Sequence, residues 1–296
     1  MKFKQNIYSF LVTINSILLV ILLGTTIYGI YNYSHYVQSN KAEPVIINIA
    51  EVQNNNNSLD DKTNIQTEQI QNNIKSNNLS NASIIIAIID TGLSSNTTQE
   101  VLQLAPEVAI GVSAYASDID DVIKQAIGYN HKVFMNIPME PKNYPIEDPG
   151  PYSLITQLSE KDNISRLNFL LNRNSLINGV YSDKNEIFTN NIDNSRLIIR
   201  ELKKHNLRYL YGAGKENIFL NQLSKDENYN IFFSDLLIDE EINIDQINMK
   251  LDKLEKLAID NKLAIGIARS YPLSVRALKD WLPTLEAKGI KLISIQ

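Results

Sequence analysis

Apolar and polar positions divide the chain into three stretches. Residues 10–30 (FLVTINSILLVILLGTTIYGI) are almost wholly apolar, with Asn15 the one strongly polar side chain. Twenty-one such residues are long enough to cross a hydrocarbon core of roughly 30 Å as a helix. Tyr8, Tyr28, Tyr31 and Tyr33 flank the run, where amphipathic rings favour the headgroup level. The rival reading is a signal peptide cut near Gly24 to Thr26. The run exceeds the usual signal-peptide core and no A-x-A site follows it, so one uncleaved transmembrane helix is expected. Lys2 and Lys4 precede it and the next basic residue is Lys41. That asymmetry puts residues 1–9 in the cytoplasm and the rest of the chain outside the inner membrane, in the periplasm or beyond.

Residues 31–82 change character. Apart from PVIINI at 44–49, a short strand or interfacial segment, they are rich in Asn, Gln, Asp and Ser. Such a composition buries too little surface to offset the entropy of ordering. It predicts a flexible linker, and its 40 or so most polar residues would span about 35 Å as a random coil.

From residue 83 to 296 the pattern alternates. Short apolar, β-branched runs occur at 83–90, 107–114, 132–139, 177–183, 208–214, 229–239, 263–270 and 290–296. Helical periodicity lies between them, clearest at 118–129, 161–171, 194–205, 244–260 and 274–288. Strands alternating with helices imply βα units and a mainly parallel sheet. Eight strands in one domain point to a closed or distorted (β/α) barrel, whose chemistry sits at the C-terminal strand ends.

Those ends deliver Asp90, Ser113, Tyr115, Asn136, Glu140, Asp183, Tyr211, Asp235, Asp239, Arg269 and Tyr271. Carboxylates converging on one mouth suit a metal-dependent or acid/base hydrolase. Helix N-caps account for single aspartates equally well. Residues 136–154 (NIPMEPKNYPIEDPGPYSL) hold five of the chain's nine prolines, so a rigid, shaped loop is expected over the mouth.

This loop resembles that of the divergent polysaccharide deacetylases, the YibQ-like group. The resemblance runs through Pro138 to Pro141, Tyr144-Pro145, Asp148 to Pro151 and Ser153-Leu154. Gly92-Leu93-Ser94, Phe188-Thr189, Asp235 to Asp239, and Ala264 to Ile267 with Pro272 support it. It covers essentially residues 83–296. It implies a distorted (β/α) barrel of the polysaccharide deacetylase type, an exported protein of carbohydrate metabolism, and an envelope glycan or peptidoglycan as ligand. Set against the family pattern, Ile89 replaces the first of two acids, Asp183 and Arg269 stand where histidines are usual, and Tyr211 replaces an acid.

Composition bears on the same point. There is no cysteine, and the three histidines are His35, His131 and His205, none at a predicted strand's C-terminal end. A zinc site is therefore disfavoured, and an all-oxygen site would suit Mg²⁺ or Mn²⁺. A net charge of −5 gives no reason to expect nucleic-acid binding.

Two readings follow. In the first, a hydrolase of an acetamide bond uses Asp90 as base or metal-bound acid and Arg269 as oxyanion stabiliser. Asp90, Asp183 and Asp235 are then the candidate metal ligands, and Glu140, Tyr144, Asp148, Tyr152, Tyr211 and Tyr271 the candidate binding residues. In the second, the barrel has lost its chemistry and binds a glycan or an envelope partner.

Overall fold

The computed structural model describes residues 82–183, 187–212 and 217–296. The expected membrane helix at 10–30 and the linker up to residue 81 lie outside the described residues. Among the described residues no helix is long and apolar enough to cross a membrane.

The strands are β1 (Ala82–Thr91), β2 (Ala109–Val112), β3 (Val133–Asn136), β4 (Gly179–Ser182), β5 (Arg208–Tyr211), β6 (Ile231–Phe233), β7 (Leu236–Leu237), β8 (Leu263–Arg269) and β9 (Ile290–Leu292). The helices are α1 (Ser95–Leu102), α2 (Ile119–Gly128), α3 (Glu160–Leu171), α4 (Ile192–Lys204), α5 (Ile218–Asp226), α6 (Ile244–Asn261) and α7 (Pro272–Trp281). All ladders are parallel, in the order β6-β5-β4-β3-β2-β1-β8-β7, with β9 added beside the start of β1. The sheet curls as a half-barrel, an α/β architecture consistent with the expected barrel.

One expected strand is broken. The run 229–239 is continuous in sequence, but β6 pairs with β5 whereas β7 pairs with β8. The change takes one residue: Ser234 N–H donates to Tyr211 O at 2.9 Å, and Asp235 N–H donates to Ile265 O at 2.7 Å. The two edges of the curled sheet are thus joined by one jogged segment.

Side-chain alternation sorts the strands into two faces. One buried cluster contains Ile84, Ile86 and Ile88 together with helix residues such as Val101, Ile123 and Leu254; this is the outer face, under the helices. The other contains Ile85, Ala87, Ile89, Phe134, Tyr181, Leu210 and Ile267, with no residue of a helix; this is the inside of the curl. The C-terminal ends of the strands open from that inner face.

Five helices begin with a side-chain cap, and three of the caps are asparagines: Asn191, Asn217 and Asn243. The amide oxygen of Asn243 accepts from Asp245 N–H at 2.9 Å and Gln246 N–H at 3.3 Å. Asn243→Ala is expected to cost about 1 kcal/mol, read from chemical denaturation; no change would mean that solvent serves α6 equally well.

Candidate functional site

The inner-face parity leads directly to a mouth. Ser113, Asn136, Asp183, Gly212, Ile267 and Arg269 continue the inward positions of β2, β3, β4, β5 and β8, and all six line a cavity of about 720 Å³. Lys142, Asn143, Glu147 and Asp148 wall it from the proline-rich loop. The expected rigidity of that loop has identifiable ties. Glu140 N–H donates to Leu154 O at 2.9 Å and Leu154 N–H to Pro138 O at 3.0 Å. Tyr115 Oη–H donates to Pro149 O at 2.6 Å, and Arg166 reaches Ser153 O at 2.6 Å.

Asp90 reaches this mouth by a backbone irregularity. Strict alternation would send it outward with Ile88. Between Ile88 and Thr91, however, the β1–β2 register slips, three steps on β1 matching two on β2. Bulges of this kind re-aim a side chain. Asp90 also sits at φ +59°, a left-handed conformation that aspartate tolerates better than most residues. The fully buried Tyr181 fastens it: the phenol accepts from Asp90 N–H at 3.0 Å and donates to Asp90 Oδ1 at 2.9 Å. Burial first, then the Asp90 charge, holds the Tyr181 pKa well above its ordinary value, so the phenol remains a donor. Gly111 makes room for it, since a Cβ there would lie 2.7 Å from Tyr181 Cε1.

Arg269 stands between two carboxylates. Its Nε is 3.8 Å from Asp90 Oδ2 and its Nη1 is 3.8 Å from Asp239 Oδ1. The Asp239 side chain is wholly buried. Its Oδ2 accepts from Arg269 N–H and Ser274 Oγ–H, both at 2.7 Å. Burial raises its pKa, opposed by those two hydrogen bonds and by the Arg269 charge.

The expected residues thus divide. Asp90, Asp148, Asp183 and Arg269 line the cavity; Glu140, Tyr144, Tyr152, Tyr211, Asp235 and Tyr271 stand outside its lining. Glu140 is buried and its carboxylate accepts from both the backbone and the hydroxyl of Thr156. Tyr152 stacks between Tyr115 and Phe169, with centroids 5.7 and 4.8 Å away. Tyr211 has outer-face parity, alternating with the inward Leu210, and is 2% exposed; its hydroxyl accepts from Asn217 at 3.2 Å. Tyr271 is the N-cap residue of α7. Asp235 is displaced by the jog: its Oδ2 accepts from Ile265 N–H at 2.8 Å, in the N-terminal half of β8 and away from the mouth.

The metal set Asp90, Asp183 and Asp235 is therefore not brought together. No group of three Asp, Glu, His or Cys positioned to hold a metal ion occurs among the described residues. The guanidinium next to Asp90 is itself a cation where a divalent ion would need to be, so the described donors do not fit one. His131 serves the fold, its ring nitrogens 2.9 Å from Val108 O and 3.2 Å from Leu102 O.

Lys142, Asn143 and Glu147 were not among the expected site residues, although they belong to the loop that the prolines mark. Asp239 was named only as a strand-end candidate; that it holds the Arg269 backbone, and that Tyr181 fastens Asp90, was not expected. Parity with Ile89 and Leu210 is the signal that finds Tyr181; for Asp239 the sequence offers only its place after an apolar run.

Comparison with known proteins bears on the whole domain. Residues 85–296 match the family model described as divergent polysaccharide deacetylase. Among solved structures, an uncharacterized protein of Agrobacterium tumefaciens C58 superposes with a TM-score of 0.69 at 27% identity, over 72% of this chain and 87% of that one. A putative cellobiose-phosphate cleavage protein of Enterococcus faecalis V583 superposes with a TM-score of 0.51 at 12% identity, over 73% of this chain and 98% of that one; that likeness is one of fold. No curated protein matches the chain.

Proposed function

The chain belongs to the divergent polysaccharide deacetylase family, and on that premise we propose that its domain binds a glycan at the strand-end cavity without metal-driven hydrolysis. Arg269 carries this reading. A metal-activated water needs open coordination beside an acid. Here the acid that β1 delivers, Asp90, faces a guanidinium 3.8 Å away. The apolar run at 10–30 supports presentation of the domain to the cell envelope by a membrane anchor, with a polar linker between.

The test uses the full-length protein in mild detergent, titrated calorimetrically with chitooligosaccharides and peptidoglycan fragments. Saturable binding that a chelator leaves unchanged, with no acetate released, is expected. Asp90→Ala should weaken binding about tenfold, the equivalent of ~1.4 kcal/mol. Metal-dependent acetate release would overturn the proposal.

A second reading rests on the Asp90 backbone. Left-handed non-glycine residues gather at working sites, and the bulge with Tyr181 holds this carboxylate in place. It favours a hydrolase in which Asp90 is the base and Arg269 stabilises the oxyanion. Acetate release that survives chelation and disappears in Asp90→Ala would establish it over the binding reading.

A further inference from the structure

Resting on the glycan-binding reading above, we propose that the preferred ligand is a cationic glycan bearing free amino groups, and that Arg269 withdraws from Asp90 towards Asp239 when an ammonium arrives. The cavity wall carries four carboxylates, Asp90, Glu147, Asp148 and Asp183, against two cations, Lys142 and Arg269. Such a field attracts a cation and repels an anionic saccharide.

Arg269 decides where that cation goes. Both its carboxylate contacts are 3.8 Å long, within Coulombic range but beyond hydrogen-bonding distance. On the buried side, Asp239 Oδ1 makes no hydrogen bond with any described residue. A buried acceptor left unpaired is costly, and a guanidinium closing on it would remove that cost. On the open side, Asp90 is tied at Oδ1 by Tyr181, while among the described residues Oδ2 is paired with Arg269 at 3.8 Å. An ammonium taking Oδ2 therefore replaces a loose ion pair with a hydrogen-bonded one, and Arg269 has an empty acceptor to move to. An N-acetylated sugar brings no charge to trigger the exchange. A uronate would have to sit among the carboxylates.

The experiment compares a fully deacetylated glucosamine tetramer, its N-acetylated counterpart and a tetragalacturonate, each titrated into the full-length protein near neutral pH. The amino tetramer should bind at least about tenfold more tightly than the N-acetylated one, with the uronate weakest. Arg269→Gln frees Asp90 and should tighten the amino tetramer; weaker binding there would show that Arg269 contacts the sugar and would overturn the exchange. Asp239→Asn keeps an acceptor for Ser274 and the Arg269 amide but turns an amide N–H₂ towards the guanidinium. It should erase most of the amino preference and leave N-acetylated binding unchanged. Equal or tighter binding of the N-acetylated tetramer by the native protein overturns the inference alone. If none of the three binds, the glycan-binding reading falls with it.

Discussion

Phe134→Ala is expected to lower the unfolding free energy by about 3–5 kcal/mol. The ring is 1% exposed and belongs to the buried cluster inside the curl. It lies flush on the neighbouring strand: a Cβ at Gly179 would come 2.6 Å from Phe134 Cε1. Truncation leaves a void that a glycine cannot fill, and among the described residues the cluster inside the curl holds no helix side chain to collapse into it. Restoring volume at Gly179 is not a remedy. The same Cβ would lie 2.6 Å from the Arg208 carbonyl oxygen, which is backbone and does not yield. Gly179→Ala should therefore destabilise both the native protein and Phe134→Ala. Urea denaturation of the full-length protein measures both; a loss below about 1 kcal/mol for Phe134→Ala would mean that the inner face is not packed around the ring.

Asp239→Ala has the other large expected effect, about 3 kcal/mol. It removes the acceptor of two buried hydrogen bonds, from Arg269 N–H and Ser274 Oγ–H, and the counter-charge 3.8 Å from Nη1. Asparagine keeps the shape and one acceptor, so it should cost much less near neutral pH. The two variants separate packing from charge through their pH dependence. Burial raises the Asp239 pKa in the folded protein, so its protonated form is the one that folding favours. The stability linked to that proton is fully present below the ordinary carboxylate range and is lost as pH rises through the raised folded value. Native minus Asp239→Asn stability should fall over that interval and then level off. A difference that rises with pH would show that Arg269, not burial, governs the group.

Much of the fold is legible because buried parallel strands are dense in β-branched residues. SIIIAIID and LAIGIARS announce β1 and β8, and Arg269 follows from simple alternation after Ile265 and Ile267. What escapes has physical causes. Helices α1 (SNTTQEVL) and α5 (IFLNQLSKD) are short, and their apolar stripes are too thin to be seen against the polar background. The stretch 274–288 reads as one helix but α7 stops at Trp281 and continues as two 3-10 turns, where Pro283 interrupts the hydrogen bonding. Asparagine abundance, read as compositional bias, conceals three helix caps.

The site divides in the same way. Strand-end position places Asp90, Asp183 and Arg269 on one cavity, and the prolines mark the loop that supplies Asp148. Tyr211 fails on parity, and Glu140 because its carboxylate serves a neighbouring threonine. Asp235 fails because apolar periodicity records burial but not which neighbour a strand pairs with, so the jog between β6 and β7 is invisible in IFFSDLLID.

That jog has a bearing on how the molecule behaves in company. An exposed sheet margin is a template on which a second chain can add its own backbone, the usual beginning of runaway association. Here the terminal strands are three and two residues long, and the same stretch of chain occupies both margins. The remaining short strand, β9, is three residues long and bears an exposed Lys291. A neighbouring copy finds too few free amides and carbonyls in line to nucleate pairing. The domain is thus expected to stay monodisperse at high local density, which light scattering across a concentration series would verify.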